Sequence, residues 1–372
     1  MNLKASFVTF LNEKYPQLSV EVLNNLIYEQ LISPYQVTLS SKQVQSIQTE
    51  INHYWQLREW GTTHLAAEFE TYGVRKPDNY SACMSYDFHI NAEGQLELIE
   101  INTNASFLAL GLELYSFLKL PNPVGAWNEN DLISMFKNEI KLSSGKNETI
   151  AIFDDQPEQQ RLYIEFLIYQ ALFNKHGVKS KIVSVDGTDA MQAAGLVYNR
   201  YTDFMLQEPR SALIKDLYNQ KKIELSPNPY EYFMLADKKR FLDWNQQIDL
   251  PKPQSLLPLH DLANADREKI WSDRKNLFFK PRNSFGSKQA YRGASISAKT
   301  FNEVFQENFI AQKLSMPSEV EVEHEGKKLM MKYDLRCYAY KNQLQLIVAR
   351  LYQGQTTNLR TAGGGFAAVK IN

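Results

Sequence analysis

Three residues with oxygen-bearing side chains, Asp87, Glu100 and Asn102, lie on what the sequence predicts to be a β-hairpin. Two strand-like runs flank the turn-forming residues 91–94, which is the pattern of paired antiparallel strands. Because side chains alternate along a strand, Glu100 and Asn102 point to the same face. Oxygen ligands on paired strands suit Mg²⁺. The hairpin therefore predicts a magnesium site, and a solvent-facing acidic hairpin is the alternative.

Lys280 ends the apolar run LFFKP and precedes a polar loop that contains Ser284 and Gly286. A lysine on a buried strand can contact α- and β-phosphates, and small loop residues let backbone N–H groups approach phosphate. The G-x-x-x-x-G-K-[ST] order is missing, so the loop is no Walker A motif. A phosphate site and a merely solvated lysine are both compatible with this pattern.

Two further segments carry candidate nucleotide contacts. The stretch LADKKRF places Lys238 and Lys239 at the start of a predicted helix, and charge alone does not decide between them. The stretch FIAQKLS predicts a short strand that carries Gln312 and Lys313. This strand could form the linker beside an adenine ring, where backbone groups commonly bind the edge of the base. Gln312 is therefore a candidate neighbour of adenine.

The C-terminal region predicts two antiparallel strands joined at Lys341 and Asn342. Asp334 and Arg336 share one face of the first strand, and Arg350 ends the second. The alternation therefore places an acidic and two basic side chains near one another.

A glycine-rich loop follows these strands. Asn358 precedes three consecutive glycines at 363–365, next to a predicted strand. Consecutive glycines beside a strand indicate a close approach to another backbone or to a ligand.

The elements between the two predicted hairpins have α/β rhythm across 149–205, with apolar strands alternating with a helix that ends at Gly177. One strand, GLVYNRY, ends at Asn199 and Arg200. Ligands bind at the carboxyl ends of parallel strands in open α/β sheets. Arg200 is therefore a candidate substrate contact, and a surface ion-pairing arginine is the alternative.

Composition restricts the class of protein. A length of 372 residues predicts two or three packed units, and the 44% hydrophobic and 12% aromatic content predicts that they have packed cores. A formal net charge of −1 argues against a general nucleic-acid binder. Two cysteines cannot form a zinc site alone and indicate a reducing compartment. With no secretion signal at the start and no run of about 20 apolar residues, we expect a cytoplasmic protein without a membrane partner.

In order, the segments from Asp237 to Gly365 resemble the ATP-grasp enzymes, and among them bacterial glutathione synthetase and glutathionylspermidine-synthetase-like ligases. Such proteins have a D/E-K helix start, a K-P strand with a glycine-containing loop, a Q-bearing hinge, a D-x-R strand, an A-R strand end and an N…GG loop. They finish with an aspartate strand and an E-x-N strand. In this chain the aspartate strand and the E-x-N strand precede all the other motifs. The resemblance covers roughly residues 80–106 and 150–370.

The resemblance implies an α/β (α+β) protein with a circularly permuted ATP-grasp fold and a Rossmann-like pre-ATP-grasp domain. Permutation is physically tolerable because the termini of compact domains often lie close together. The implied units are an N-terminal helical segment (1–75), the permuted metal-binding part (76–148), the pre-ATP-grasp domain (149–226) and the nucleotide-binding lobes (227–372).

The resemblance also implies roles for single residues. Contacts to ATP are implied for Lys238, Lys280, Ser284, Gly286, Gln312 and Lys313. Binding of Mg²⁺ is implied for Asp87, Glu100 and Asn102. Catalytic roles are implied for Arg350, Arg336 and Asn358. Substrate contacts are implied for Arg200, Asn199, Gly364 and Gly365.

The implied activity is ATP-dependent ligation of a carboxylate to an amine or thiol through an acylphosphate, with release of ADP and phosphate. ATP and Mg²⁺ are the expected cofactors. Small-molecule or peptide carboxylates and amines are the expected substrates, and a homodimer is one assembly left open. A phosphotransferase and a non-catalytic ATP-binding module are the alternatives.

Overall fold

The computed structural model describes residues 2–143, 147–246, 249–282, 290–306, 309–355 and 357–372. The helices are α1 Leu3–Lys14, α2 Val20–Leu26, α3 Ser41–His64, α4 Ala66–Glu70, α5 Leu108–Leu118, α6 Glu129–Ser143, α7 Tyr163–Lys175, α8 Thr188–Ala193, α9 Ala212–Asn219, α10 Pro229–Glu231, α11 Lys239–Gln246, α12 Arg267–Asp273 and α13 Ala298–Gln306. Within these ranges, every helix is too short or too polar to span a lipid bilayer.

The strands form separate sheets. They are β1 Ile32–Leu39, β2 Met84–Ile90, β3 Leu96–Asn102, β4 Thr149–Phe153, β5 Lys179–Val183, β6 Leu196–Asn199, β7 Leu225–Ser226, β8 Leu259–Asp261, β9 Leu277–Pro281, β10 Tyr291–Arg292, β11 Phe309–Lys313, β12 Ser318–His324, β13 Lys327–Tyr340, β14 Gln343–Tyr352 and β15 Gly365–Ile371.

The largest sheet joins the two ends of the chain. Its strand order is β1-β15-β14-β13-β2-β3, with β12 paired to β13. The predicted hairpin over 86–101 is confirmed as β2 and β3, and the predicted turn at Lys341 and Asn342 joins β13 to β14. Antiparallel pairing of β2 with β13 makes these two hairpins neighbours.

Two smaller sheets complete the molecule. The antiparallel sheet β10-β9-β11-β8 carries Lys280 on β9 and Gln312 on β11. The parallel sheet β5-β4-β6-β7 contains the predicted α/β rhythm, with α7 crossing from β4 to β5. Parallel strands align their carboxyl ends, so residues that follow β4 and β6 lie at one edge of this sheet.

The prediction that 1–75 is helical was incomplete, because this segment also contains β1. Val37 and Leu39 on β1 are buried, and the strand pairs in parallel with β15. Pro34 near its start cannot donate a ladder hydrogen bond, so the local pattern resembled a loop. The helix predicted for about 42–72 ends at His64 and resumes as α4.

The large sheet is buried on both faces. Tyr338 and Val348 belong to a core shared with α1, α5 and α7, whereas Cys337 and Ile347 belong to a core shared with α3. All seven residues of β2 are buried as a result. A charged residue on β2 therefore lies in the interior and requires charged or hydrogen-bonding partners there.

The glycine loop approaches another backbone, as its sequence predicted. Gly365 has φ +120°, and a Cβ at this position would lie 2.6 Å from the backbone oxygen of Gln30. A side chain there would push apart β15 and the chain entering β1. The loop thus fixes the edge of the large sheet.

We expect Gly365→Ala to lower the free energy of unfolding by about 3 kcal/mol, because positive φ and backbone contact both oppose a Cβ. Urea unfolding midpoints measure the effect. Gly94→Ala is the matched control, since Gly94 has φ +79° with nothing within 4 Å of the added Cβ. Equal loss of stability in both variants would contradict the close-approach explanation.

Candidate functional site

A row of charged side chains crosses the large sheet. Glu100 on β3 is opposite Asp87 on β2, and Asp87 is opposite Arg336 on β13. Asp334 on β13 is opposite Arg350 on β14. Because Tyr86 and Cys337 point to the other face, these charges share one face of the sheet.

Asp87 bonds to both arginines. It accepts hydrogen bonds from Arg336 Nε at 3.1 Å and Nη2 at 2.7 Å, and from Arg350 Nη2 at 2.9 Å. Its side chain is 1% exposed. Burial would raise the pKa of the Asp87 carboxyl, but the two guanidinium groups outweigh it and hold that pKa below the ordinary value.

Arg350 is fixed from a second side by Asp334. Its Nε donates to Asp334 Oδ1 at 2.6 Å, and Thr357 Oγ1 donates to Asp334 Oδ2. Burial would lower the pKa of Arg350, but Asp334 and Asp87 raise it above the ordinary value. Arg350 is therefore a permanent cation in a fixed position.

Glu100 and Asn102 face a cavity beside this row. The amide nitrogen of Asn102 donates to Asp87 Oδ2 at 3.3 Å and to Glu100 Oε1 at 3.2 Å, so its amide oxygen is directed away from the carboxylates. Across the described ranges, no three carboxylate, histidine or cysteine side chains form a metal cluster. Two oxygen ligands still fit Mg²⁺, which completes its coordination with water and phosphate oxygens.

Lys280 reaches across from the smaller sheet to the large one. Its Nζ donates to the backbone oxygen of Ile99 at 3.0 Å and to Gln312 Oε1 at 2.8 Å. Burial lowers the pKa of Lys280 from 10.5 to about 8, although Glu100 opposes this change. The predicted pair Lys280 and Gln312 thus lies in contact next to Glu100.

The structure distinguishes the two lysines that charge alone did not. Lys238 follows a π-helical turn, Tyr232–Ala236, and lines the cavity. Burial lowers its pKa, and Glu100 acts against that effect. Lys239 instead forms an ion pair with Glu68 at 2.8 Å. Lys238 is therefore the lysine placed for a ligand in the cavity.

The cavity has a volume of about 790 Å³, within the range of small-molecule sites. Among the described residues that line it, cationic side chains outnumber carboxylates. The cationic residues are Arg161, Arg200, Lys238, Lys280, Arg292, Lys313, Lys332, Arg336 and Arg350, and the carboxylates are Glu100, Asp154 and Asp334. Such an excess of positive charge favours a polyanionic ligand.

The parallel sheet contributes a further part of the cavity lining. Asp154 follows β4 and Arg200 follows β6, and both line the cavity, while the substrate contact of Arg200 stays a prediction. Burial raises the pKa of Asp154 to about 6. Arg200 Nη1 donates to the backbone oxygen of Ala105 at 3.0 Å. Both side chains thus bring charge to the part of the cavity lining that the parallel sheet provides.

Some predicted contacts are not placed at the cavity. Asn199 is buried, accepts from Tyr201 N at 3.1 Å and donates to the Pro227 oxygen at 3.4 Å, so it stabilises the chain after β6. Gly364 and Gly365 pack against backbone and are not among the described lining residues. The structure therefore places these three residues outside the described lining of the cavity, and their assignment to substrate stays a prediction.

The remaining predicted residues have mixed placements. Asn358 lines the cavity, but its amide also closes its own loop, donating to Gln353 O at 2.8 Å. Gln312 and Lys313 line the cavity. Ser284 and Gly286 lie outside the described residues.

Sequence reasoning missed Asp154, Arg161 and Thr357, which all line the cavity. Asp154 follows the buried run TIAIF, so the strand-end rule that selected Arg200 would also have selected it. Arg161 and Thr357 lie in loops without a recognisable pattern.

No family model and no curated protein matches this chain. Solved structures do match. A glutathione synthetase-like effector, GSS30, from Globodera pallida in its apo form has a TM-score of 0.56 and 10% sequence identity, over 92% of this chain and 90% of that chain. The chain has an ATP-grasp-like fold.

Two other solved structures are less similar, and the fold assignment does not depend on them. A candidate gamma-glutamylcysteine synthetase from Methylobacillus flagellatus has a TM-score of 0.45 and 9% identity, over 84% of each chain. The ATP-grasp ligase PsnB, complexed with minimal precursor, Mg and ADP, has a TM-score of 0.31 and 11% identity, over 61% of this chain and 89% of that chain.

The lowered pKa of Lys280 predicts a pH dependence of stability. The unfolded chain binds more protons than the folded chain between pH 8 and 10.5, so Lys280 makes stability rise with pH in that window. We expect wild type to gain stability relative to Lys280→Met as pH rises from 8 to 10, measured by urea unfolding midpoints.

The exposed lysine Lys299 on α13 provides the control. Lys299→Met makes the same substitution at an exposed position and should follow the wild-type pH profile. A stability difference between wild type and Lys280→Met that stays constant with pH would contradict the burial of the Lys280 ammonium group.

Proposed function

We propose that the protein is an ATP-dependent ligase that joins a carboxylate to an amine or thiol through an acylphosphate, with release of ADP and phosphate. The observation that carries this proposal is a single cavity whose described lining has two groups of charged residues. One group, which we call the nucleotide end, has lysines, arginines and Glu100, and the other has Asp154 and Arg200, which follow strands of the parallel sheet. This lining supports binding of a nucleotide and a second charged ligand in one space.

The nucleotide end uses side chains from the smaller sheet and the helix start. Lys238 and Lys280 would contact the α- and β-phosphates, which would replace the hydration that burial removes from both ammonium groups. Gln312 and Lys313 on β11 would flank adenine. The loop with Ser284 and Gly286 is assigned to cover the phosphates on the sequence resemblance alone.

Glu100 and Asn102 would hold Mg²⁺ on the large-sheet side of the phosphates. When bound, Mg²⁺ neutralises phosphate charge and orients the transferring group. Lys280 bonds to the residue before Glu100, so the phosphate-binding lysine and the metal-binding carboxylate are adjacent in space. This adjacency supports one composite site.

Phosphoryl transfer depends mainly on positioning and on neutralising charge. Arg350 and Arg336 line the cavity and would stabilise negative charge on the transferring phosphoryl group. In the first step, a carboxylate oxygen bonds to the γ-phosphorus while the β–γ bond breaks and ADP leaves. In the second, the amine or thiol bonds to the acyl carbon, loses its proton, and phosphate leaves.

The substrate carboxylate would lie between the phosphoryl group and the strand ends. Arg200 is a cation fixed at the Ala105 backbone and faces the cavity. A fixed guanidinium suits recognition of a carboxylate better than a mobile one, because less side-chain entropy is lost on binding.

A circularly permuted chain order is part of the proposal. The supporting contact is that of Arg336 with Asp87, which are separated by 249 residues in the chain. The hairpin β2–β3 precedes the nucleotide-binding segments and yet pairs directly with β13. The large sheet therefore holds together the β2–β3 hairpin and the later strands, which is the arrangement that a permuted chain order requires.

The proposal predicts ADP, phosphate and a condensed product when ATP·Mg²⁺ is incubated with the correct carboxylate and amine. A panel of amino acids, peptides and polyamines, scored for ADP against AMP and for condensed mass by mass spectrometry, tests it. Stoichiometric AMP would contradict the acylphosphate route. A stable phosphorylated product would favour the phosphotransferase alternative.

Glu100→Gln is the matched control for this assay. The change keeps the shape of the side chain but removes the negative charge facing Mg²⁺, so turnover should fall by roughly 100-fold. Product formed at the wild-type rate by this variant would show that the activity arises from another site or a contaminant.

A further inference from the structure

Asp87 differs from the other two residues of the predicted metal set. Glu100 and Asn102 line the cavity, whereas Asp87 is not among the described residues that line it. Its side chain is 1% exposed and lies behind Arg336 and Arg350. A metal ion bound between the protein and phosphates would meet Glu100 and Asn102 before Asp87.

The acceptor capacity of the Asp87 carboxylate is already used. Oδ1 accepts from Ser85 Oγ and Arg336 Nε, both at 3.1 Å. Oδ2 accepts from Arg336 Nη2 at 2.7 Å, Arg350 Nη2 at 2.9 Å and Asn102 Nδ2 at 3.3 Å. A carboxylate offers about four lone-pair sites. A metal ion at Asp87 would therefore have to displace at least one of these five donors, three of which are guanidinium nitrogens.

Charge opposes such an exchange. Two guanidinium groups contact Asp87, and an incoming cation would meet both at close range in a buried position. A displaced guanidinium would lose its partner inside the protein, where an unpaired charge is strongly unfavourable. Water and phosphate oxygens can complete Mg²⁺ coordination without this cost.

The same contacts give Asp87 a different role. Arg336 and Arg350 both reach the cavity and repel each other. The shared Asp87 carboxylate lies between them and offsets that repulsion. Asp334 anchors only Arg350, through its Nε. Asp87 is therefore the carboxylate that brings the two guanidinium groups together.

We propose that Asp87 is a positioning residue that holds Arg336 and Arg350 side by side on the cavity wall, and that Glu100 and Asn102 bind the metal ion without it. This inference rests on the proposed function, because it concerns how the protein holds ATP·Mg²⁺. It departs from the sequence prediction that placed Asp87 among the metal ligands.

Mn²⁺ binding in the presence of ADP, followed by the electron paramagnetic resonance signal of free Mn²⁺, tests the inference. Glu100→Gln should weaken Mn²⁺ binding by roughly 10- to 100-fold, as expected for loss of a ligand. Asp87→Asn should leave Mn²⁺ affinity within about threefold of wild type, because the oxygens of Glu100 and Asn102 are retained and an amide oxygen at position 87 can still accept the Asn102 hydrogen bond. Equal weakening in both variants would overturn the inference.

Kinetics separate positioning from general damage to the fold. Asp87→Asn should lower kcat for ADP release by roughly 100-fold with little change in KM for ATP·Mg²⁺, since misplaced arginines act on the transition state. Asp87→Glu retains the charge and should recover part of kcat. A raised KM with unchanged kcat would contradict a positioning role.

If Asp87→Asn does not fold, a charge-balanced variant replaces it. Asp87→Asn combined with Arg336→Met removes both members of the buried pair, which is better tolerated than removal of one. This variant also removes a cation from the cavity, so Mn²⁺·ADP binding should weaken, but less than in Glu100→Gln, because both proposed ligands remain. Weakening as large as that of Glu100→Gln would overturn the inference. Failure of the wild-type protein itself to bind Mn²⁺·ADP would instead contradict the proposed function.

Discussion

The shared carboxylate of Asp87 is the interaction on which the candidate site depends. An acidic residue in a fully buried strand must be neutralised, and its partners come from β13 and β14. The Asp87 carboxylate meets its arginine partners because the β2–β3 hairpin pairs with the β13–β14 hairpin. The two ends of the chain are therefore joined in one sheet, and its polar face is fixed at the cavity.

The second constraint is the gap between sheets. Lys280 spans this gap through its hydrogen bond to Ile99 on β3, while Gln312 holds it from its own sheet. Burial in this position lowers the pKa of the Lys280 ammonium group. Around it, the described lining of the cavity carries more cations than carboxylates. Charges held close together in this way gain most from an anionic ligand, so the lining suits a polyanion better than an apolar molecule.

Local patterns predicted much of the fold. The two hairpins, the strand with Lys280 and the strand ending before Arg200 all follow from alternation and turn residues. Strand β1 was missed because its stability comes from long-range parallel pairing with β15, which leaves no local signal. The ATP-grasp-like architecture was predicted from the order of several weak motifs, because each motif alone was compatible with an unrelated loop or strand.

Side-chain roles were harder to predict for a physical reason. Alternation gives the face of a strand but not the partner that a side chain meets there. Asn199 accepts a hydrogen bond from Tyr201 N, and Gly365 lies against the backbone of the chain that enters β1; neither contact could be derived from alternation. Asp87 and Glu100 share a face, yet only Glu100 reaches the cavity, because the arginines that cover Asp87 come from distant strands.

The central claim is that one nucleotide–metal complex is bound by side chains from the β2–β3 hairpin and by lysines that lie more than 130 residues later in the chain. A crystal structure with ADP and Mn²⁺, with the metal located by anomalous scattering, tests it most directly. The account predicts Mn²⁺ at about 2 Å from oxygens of Glu100 and Asn102, with phosphates beside Lys238 and Lys280. Nucleotide or Mn²⁺ bound outside this cavity, with Glu100 far from the phosphates, would contradict it.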